Sequence, residues 1–232
     1  MLEEKRSWKL DTYIYGVFAI LYLGLFLLGC RLANTYGWLN LSNVLLLVTL
    51  GLIWDNGLLA AGRWIGEGEL LEKLNLSRFW LHALFTPLLV LFGWHVTCRS
   101  GAKWAKKKSV CLLSFVLTVV LILYELFTVT IGIELTPEKR YGVLSYSQEG
   151  GTSPPVMVII VSVILLISAI TVFRKIKWVW MLVGVILMTA GSMIDIPLPS
   201  DAIVNAFELI LLITLWATKK HLDHHRYQCS FL

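Results

Sequence analysis

Three carboxylates stand inside long apolar runs of this chain: Asp55, Glu125 and Glu208. An ionised side chain near the middle of a membrane-crossing helix costs about 2.5–3.5 kcal/mol on insertion scales, so each of these acids needs a partner or a purpose. Burial favours the neutral carboxylic acid, and a neutral acid beside an ionised one is the arrangement that general acid and base chemistry requires. His82 adds a second proton carrier, which makes Asp55, Glu125, His82 and Glu208 the catalytic candidates. Arg63 and Arg78 are placed to hold an anionic head group, Asn56 and Asn205 flank the deep acids, and Asp195 and Tyr124 complete the substrate-binding candidates.

The elements that position these residues follow from composition. Of 232 residues, 57% are hydrophobic and 15% are charged, with a mean hydropathy of +0.75. An ordinary soluble domain is about one quarter charged, so too few polar side chains remain here to cover a core in water. Lipid is the expected solvent. Seven runs approach the roughly 20 residues that a helix needs to cross a hydrocarbon core: 12–32, 42–62, 79–98, 109–133, 155–173, 178–196 and 202–218. The expected fold is a single all-α bundle of seven transmembrane helices covering 1–232. The last two runs are divided only by Ile196-Pro197-Leu198-Pro199-Ser200-Asp201, a proline-rich helix-to-helix turn.

Counting Lys and Arg on alternate sides gives eight on the side of the N-terminus and twelve on the other. Basic loops are retained in the cytoplasm, so the expected topology has the N-terminus extracytoplasmic and the C-terminus cytoplasmic. Cys30, Cys98, Cys111 and Cys229 all fall at the cytoplasmic end of that arrangement, where thiols stay reduced. At about 1.5 Å of rise per residue, Asp55 and Glu125 lie roughly 6 Å, and Glu208 roughly 3 Å, outward of the middles of their spans. Nothing in the sequence forces that agreement in depth. The acids also lie on small or polar stripes, among them Gly51-Asp55-Leu58-Gly62, Thr118-Glu125-Thr128-Gly132 and Gly184-Met188-Ser192-Asp195. One outward-opening polar cavity is therefore expected, with Tyr13, Tyr15 and Tyr124 along it and Arg63 as its cap.

Two connections are long. Residues 66–76 place Leu70, Leu71 and Leu74 on one helical face, as a short interfacial helix would. Thr136 to Pro155 is rich in Gly, Ser and Pro, suited either to a lid or to a plain linker. Pro87 removes a helical hydrogen bond and frees a carbonyl close to His82. Gly62-x-x-x-Gly66 is a small-residue pair that permits close helix packing.

Several chemistries have little support. His82 and His95 are 13 positions apart, roughly 20 Å along a helix, so they cannot share a metal, and paired haem ligation lacks its opposing histidines. His221, Asp223, His224, His225 and Cys229 have ligand-like spacing, but a hydrated basic helix end accounts for them better. A retinal Schiff base would need a lysine mid-span, where this chain has Glu208. No phosphate loop is present, no cofactor or metal is expected, and the excess of 20 Lys+Arg over 15 Asp+Glu reads as helix-flanking charge rather than nucleic-acid binding. The best-supported expectation is a multi-pass cell-membrane enzyme acting on a membrane lipid or small amphiphile, with Asp55 and Glu125 as acid and base. A proton- or cation-coupled transporter, or a scaffold or sensor whose acids are structural, are the alternatives.

Overall fold

The computed structural model describes residues 10–148, 155–193 and 200–225. Asp195, the Pro197 and Pro199 turn, the N-terminal basic residues and Cys229 lie outside the described residues. The described elements are α1 (Leu10–Tyr36), α2 (Val44–Ile65), α3 (Glu69–Phe85), α4 (Leu88–Arg99), α5 (Lys108–Glu125), β1 (Leu135–Arg140), β2 (Val143–Gln148), α6 (Val156–Ile176), α7 (Trp180–Met193) and α8 (Ala202–His224). A 3-10 turn, Leu41–Asn43, leads into α2, and a π-helical turn, Leu126–Thr130, ends α5.

Six helical stretches are long and apolar enough to cross a membrane, α3 and α4 counting as one. The seventh expected span is shorter in its described part, 14 residues from Trp180 to Met193. The fold is thus a multi-pass, all-helical bundle with one β-hairpin at its end. Its outward side chains, such as Ile20, Leu27, Leu113, Phe127, Ile159 and Ile213, form the apolar belt that lipid requires. Between helices, lipid supplies no hydrophobic drive, so close packing must hold them together. Gly184 and Gly191 of α7 do this: a Cβ on either would overlap Thr214 or Phe207 of α8. The small-residue stripe of α7 is therefore mainly a packing seam, with Met188 alone of its described members reaching the central space.

The segment expected as a separate interfacial helix is instead the start of α3. Gly66 and Gly68, at φ 83° and 154°, reverse the chain, and Glu69 then opens a helix that runs on past His82. Leu71 is buried under the hairpin rather than resting on lipid headgroups. At Thr86-Pro87 the helix is interrupted: Thr86 N–H still reaches the His82 carbonyl at 3.1 Å, and Leu89 N–H turns to Thr86 at 3.1 Å.

Residues 135–148 of the long connection between α5 and α6 form a hairpin, β1 against β2, with Tyr141 and Gly142 both at positive φ in its two-residue turn. It is a cap rather than a linker. The Thr12 hydroxyl donates to the Gly142 carbonyl at 2.8 Å, and the Gly68 amide donates to the Tyr146 hydroxyl at 3.1 Å. A Cβ at Gly62 would overlap the Leu144 carbonyl, so this glycine serves the hairpin's approach rather than a second helix.

At the opposite end, away from the hairpin, the bundle encloses ionic groups. Asp223 accepts from Arg99 at 2.5 Å, Lys219 at 2.6 Å and Asn40 at 3.0 Å, and the Asp223, Arg99 and Lys219 side chains are buried. Ser42 and the His95 Nδ1 are 2.8 Å apart beside them. The sequence reading ended the last span at 218 and took the residues beyond it as a hydrated basic helix end. Because α8 continues to His224, Lys219 and Asp223 are carried inside. Cys98 is disulfide-bonded, against the expectation of a reduced thiol, while Cys30 and Cys111 are free.

The hairpin seat makes a direct prediction. Gly62→Ala should destabilise the protein by about 1–3 kcal/mol, as overpacking does. Gly57→Ala, in the same helix with open space around it, should be neutral or raise stability by up to about 1 kcal/mol. Thermal unfolding in detergent separates the two.

Candidate functional site

Each helix that enters the centre of the bundle contributes according to its depth. Asp11 and Tyr15 come from the first turns of α1, Gly51 and Asp55 from α2, and Arg78 and His82 from α3. Asn205 and Glu208 come from the first turns of α8, and Glu138, Arg140 and Ser145 hang from the hairpin. Together they surround a cavity of about 380 Å³. Towards the middle of the bundle the lining becomes apolar, with Val48, Leu89, Val161, Leu165 and Leu212. Below that floor the packing closes: Leu45, Phe92, Leu215 and Trp216 are buried, and the Trp216 indole donates to the Thr49 hydroxyl at 3.1 Å. Three helices pass through the same layers in steps of three or four residues. α2 and the turn before it read Val48, Leu45, Ser42; α4 reads Leu89, Phe92, His95; α8 reads Leu212, Leu215, Lys219. The layers are cavity, apolar plug and buried polar cluster.

Asp55 is held by an ion pair between α2 and α3. The Arg78 Nε donates to its Oδ1 at 2.7 Å, and the same guanidinium donates through Nη1 to Asn75 Oδ1 at 2.8 Å. Asn56, buried just beside it, accepts from Asn205 Nδ2 at 3.1 Å and returns its own amide to the Leu52 carbonyl at 2.9 Å. That pair ties α2 to α8 at the height of the acids. His82 lines the cavity with Nδ1 3.2 Å from the Thr86 hydroxyl. When Thr86 accepts from Nδ1–H, Nε2 is the basic nitrogen. Glu208 has no hydrogen-bond or ion-pair partner among the described residues.

At the mouth, Asp11 is buried and accepts from the Ser200 hydroxyl at 2.7 Å and the Asp201 amide at 2.9 Å. Arg140 stands 3.6 Å from both Glu138 and Asp201. Partial burial raises the proton affinity of Asp201 above that of an ordinary aspartate, with Arg140 pulling the other way. These hairpin pairs are largely solvated, so each contributes under about 1 kcal/mol.

The structure brings Asp55, Glu208, His82, Arg78 and Asn205 to the lining of one cavity, with Asn56 hydrogen-bonded to Asn205 behind them. Glu125 is not part of it. It is half-buried where α5 gives way to the π-helical turn, off the cavity lining, so Asp55 and Glu125 are not a pair across one space. Arg63, Tyr13 and Tyr124 are exposed and do not line the cavity; the hairpin's Arg140 takes the capping place expected of Arg63. The sequence reading missed Asp11, Glu138, Arg140 and Asp201. Asp11, an acid at the foot of an apolar run, was the available signal; the hairpin residues lie in a connection that carries no depth information.

Comparison with known proteins finds no match: no family model, no curated protein and no solved structure aligns significantly with this chain. Function is therefore argued from the cavity itself.

The Asp55–Arg78 contact can be measured as a double-mutant cycle. Asp55→Asn and Arg78→Gln should each destabilise the protein, and the double variant should recover part of the loss, giving a coupling energy of about 1–3 kcal/mol. Additive losses in thermal unfolding would show that the two side chains are independent.

Proposed function

We propose that this protein is a multi-pass enzyme of the cell membrane that acts on a lipid or other amphiphile by proton transfer inside the hairpin-capped cavity. The observation that carries this reading is the polarity gradient of one blind space, charged beneath the hairpin and apolar at mid-bundle. An amphiphile matches that gradient, with its head group among Asp55, His82 and Glu208 and its tail on the Val and Leu floor. His82 and Glu208 are the proposed proton-carrying pair. Neither is tied up in an ion pair, so either can change protonation without breaking the bundle. Asp55 is the positioning charge, held by Arg78 and acting on His82 from the neighbouring wall. The plug at Phe92 and Trp216 favours this reading over a transport path, which would have to continue to the other side.

A proton- or cation-coupled transporter is the second reading. It draws on the buried Arg99–Asp223–Lys219 cluster, which would be the closed end of an alternating path. The proposed topology places the hairpin outside, on the strength of the Lys and Arg count; the disulfide at Cys98 weighs against it, because disulfides persist in oxidising compartments.

Two measurements test these readings. Purified protein in liposomes of host lipid extract should convert at least one lipid species, read by mass spectrometry. His82→Gln and Glu208→Gln should slow that conversion by about 10²–10⁴-fold, while Glu125→Gln, off the cavity, should retain it. Unchanged conversion in His82→Gln sinks the catalytic assignment. For topology, in a Cys30→Ser, Cys111→Ser background, Glu69→Cys should react with an impermeant thiol reagent in intact cells and Lys107→Cys should not. The opposite pattern inverts the bundle.

A further inference from the structure

The charge balance of the cavity points to the kind of head group it receives. We propose that the occupant is a cationic amphiphile, an alkyl chain bearing an organic ammonium, with Glu208 as its counter-ion. The amphiphile part rests on the reading above; the sign of the head group rests on separate observations.

Among the described residues, five carboxylates line the space, Asp11, Asp55, Glu138, Asp201 and Glu208, against two guanidinium groups, Arg78 and Arg140. Both cations are already engaged: Arg78 with Asp55 and Asn75, Arg140 with Glu138 and Asp201. An anionic head group would have to displace a carboxylate from one of them and then remain beside it. In a low-dielectric space that repulsion is severe. Asp11 is hydrogen-bonded by neutral donors, the Ser200 hydroxyl and the Asp201 amide, which satisfy its oxygens without cancelling its charge. Glu208 has neither kind of partner among the described residues and stands deepest of the five, next to the apolar floor at Leu211 and Leu212.

That position selects an organic cation over a metal ion. A hard divalent cation takes six or more oxygen ligands, or an octahedral shell that keeps its waters. No three His, Cys, Asp or Glu side chains come together as a metal-binding group among the described residues. An ammonium is satisfied by one carboxylate and by aromatic rings, and Phe85 and Tyr15 stand on the same lining. Its alkyl tail then lies on Val161, Leu165 and Leu212, in a volume of about 380 Å³ that falls within the range of small-ligand sites. Arg78, read from the sequence as an anchor for an anionic head group, becomes the residue that holds Asp55 in place.

The test uses the full chain purified in a neutral maltoside detergent. Decylamine, decanol and decanoate share a ten-carbon tail, and at pH 7.5 they carry a positive, a zero and a negative head group. Each is titrated below its micellar concentration, and the bound fraction is read by native mass spectrometry. Decylamine should bind at least tenfold more tightly than either of the others. Glu208→Gln should abolish that preference while leaving decanol binding in place, and Glu208→Asp should keep it. Equal affinity for the three probes, tighter binding of decanoate, or a preference that survives Glu208→Gln overturns the cationic assignment and leaves an amphiphile cavity standing. Binding of none of the three overturns both that assignment and the amphiphile reading. The wild-type comparison decides the sign of the head group even where a variant fails to fold.

Discussion

A charge withdrawn from water must find its counter-charge inside the protein, and that requirement fixes how the helices of this bundle meet. At the hairpin end Asp55 and Arg78 tie α2 to α3; at the other end Asp223 gathers Arg99, Lys219 and Asn40 from three parts of the chain. Between them the interior is apolar and closed by Trp216 and Phe92. Whereas the far cluster sets two cations on one carboxylate, in the cavity the balance tips toward negative charge, with five acids against two guanidinium groups among the described residues. A bundle that needed only adhesion would have matched them.

The hairpin changes what the cavity can be. Without it, Asp11, Asp55 and Arg78 would open to the membrane surface, and water would screen their charges. With it, the site has a roof carrying its own charges, Glu138 and Arg140, and is pinned to α1 through Thr12, to the α2–α3 turn through Tyr146, and to α8 through Asp201. The roof's ion pairs are largely solvated and individually weak, so it is held chiefly by the apolar packing of Val143, Leu144 and Tyr146 onto the helices.

Much of this was legible in the chain. The apolar runs gave most helix ends to within a few residues, because hydropathy and helix length are coupled by the thickness of a bilayer, but α3 starts well before the run at 79 and α8 continues past 218 to His224. The common depth of Asp55 and Glu208, with His82 and Arg78 entering from the same side, indicated a shared space that the fold contains. Glu125 has the same depth and is still elsewhere, because depth is only one coordinate. Rotation about the axis of α5 is set by packing, and its polar stripe does not specify which neighbour it faces. The hairpin was hidden for a different reason. Its strands, Leu135–Arg140 and Val143–Gln148, pair with each other and take their place by docking on Gly62 and Leu71, contacts made across long stretches of sequence. The buried cluster at the far end escaped because Lys219 and Asp223 resemble an ordinary basic helix exit until α8 is seen to continue past them.

The walls of the cavity are not made at one time. Asp55 and Arg78 are separated by 23 positions and can pair as soon as the second and third helices are in the membrane. The hairpin emerges only after α5, and Asp11, near the start of the chain, waits for Ser200, 189 positions later. During synthesis, which proceeds at about 5–20 residues per second, the acid on α1 therefore stays without its final partners for roughly ten seconds or more. A nascent bundle in this state is an open trough facing the membrane surface. Biogenesis of this protein thus has a late closing step, in which the last helix brings Glu208 and completes the compartment that the first three helices began.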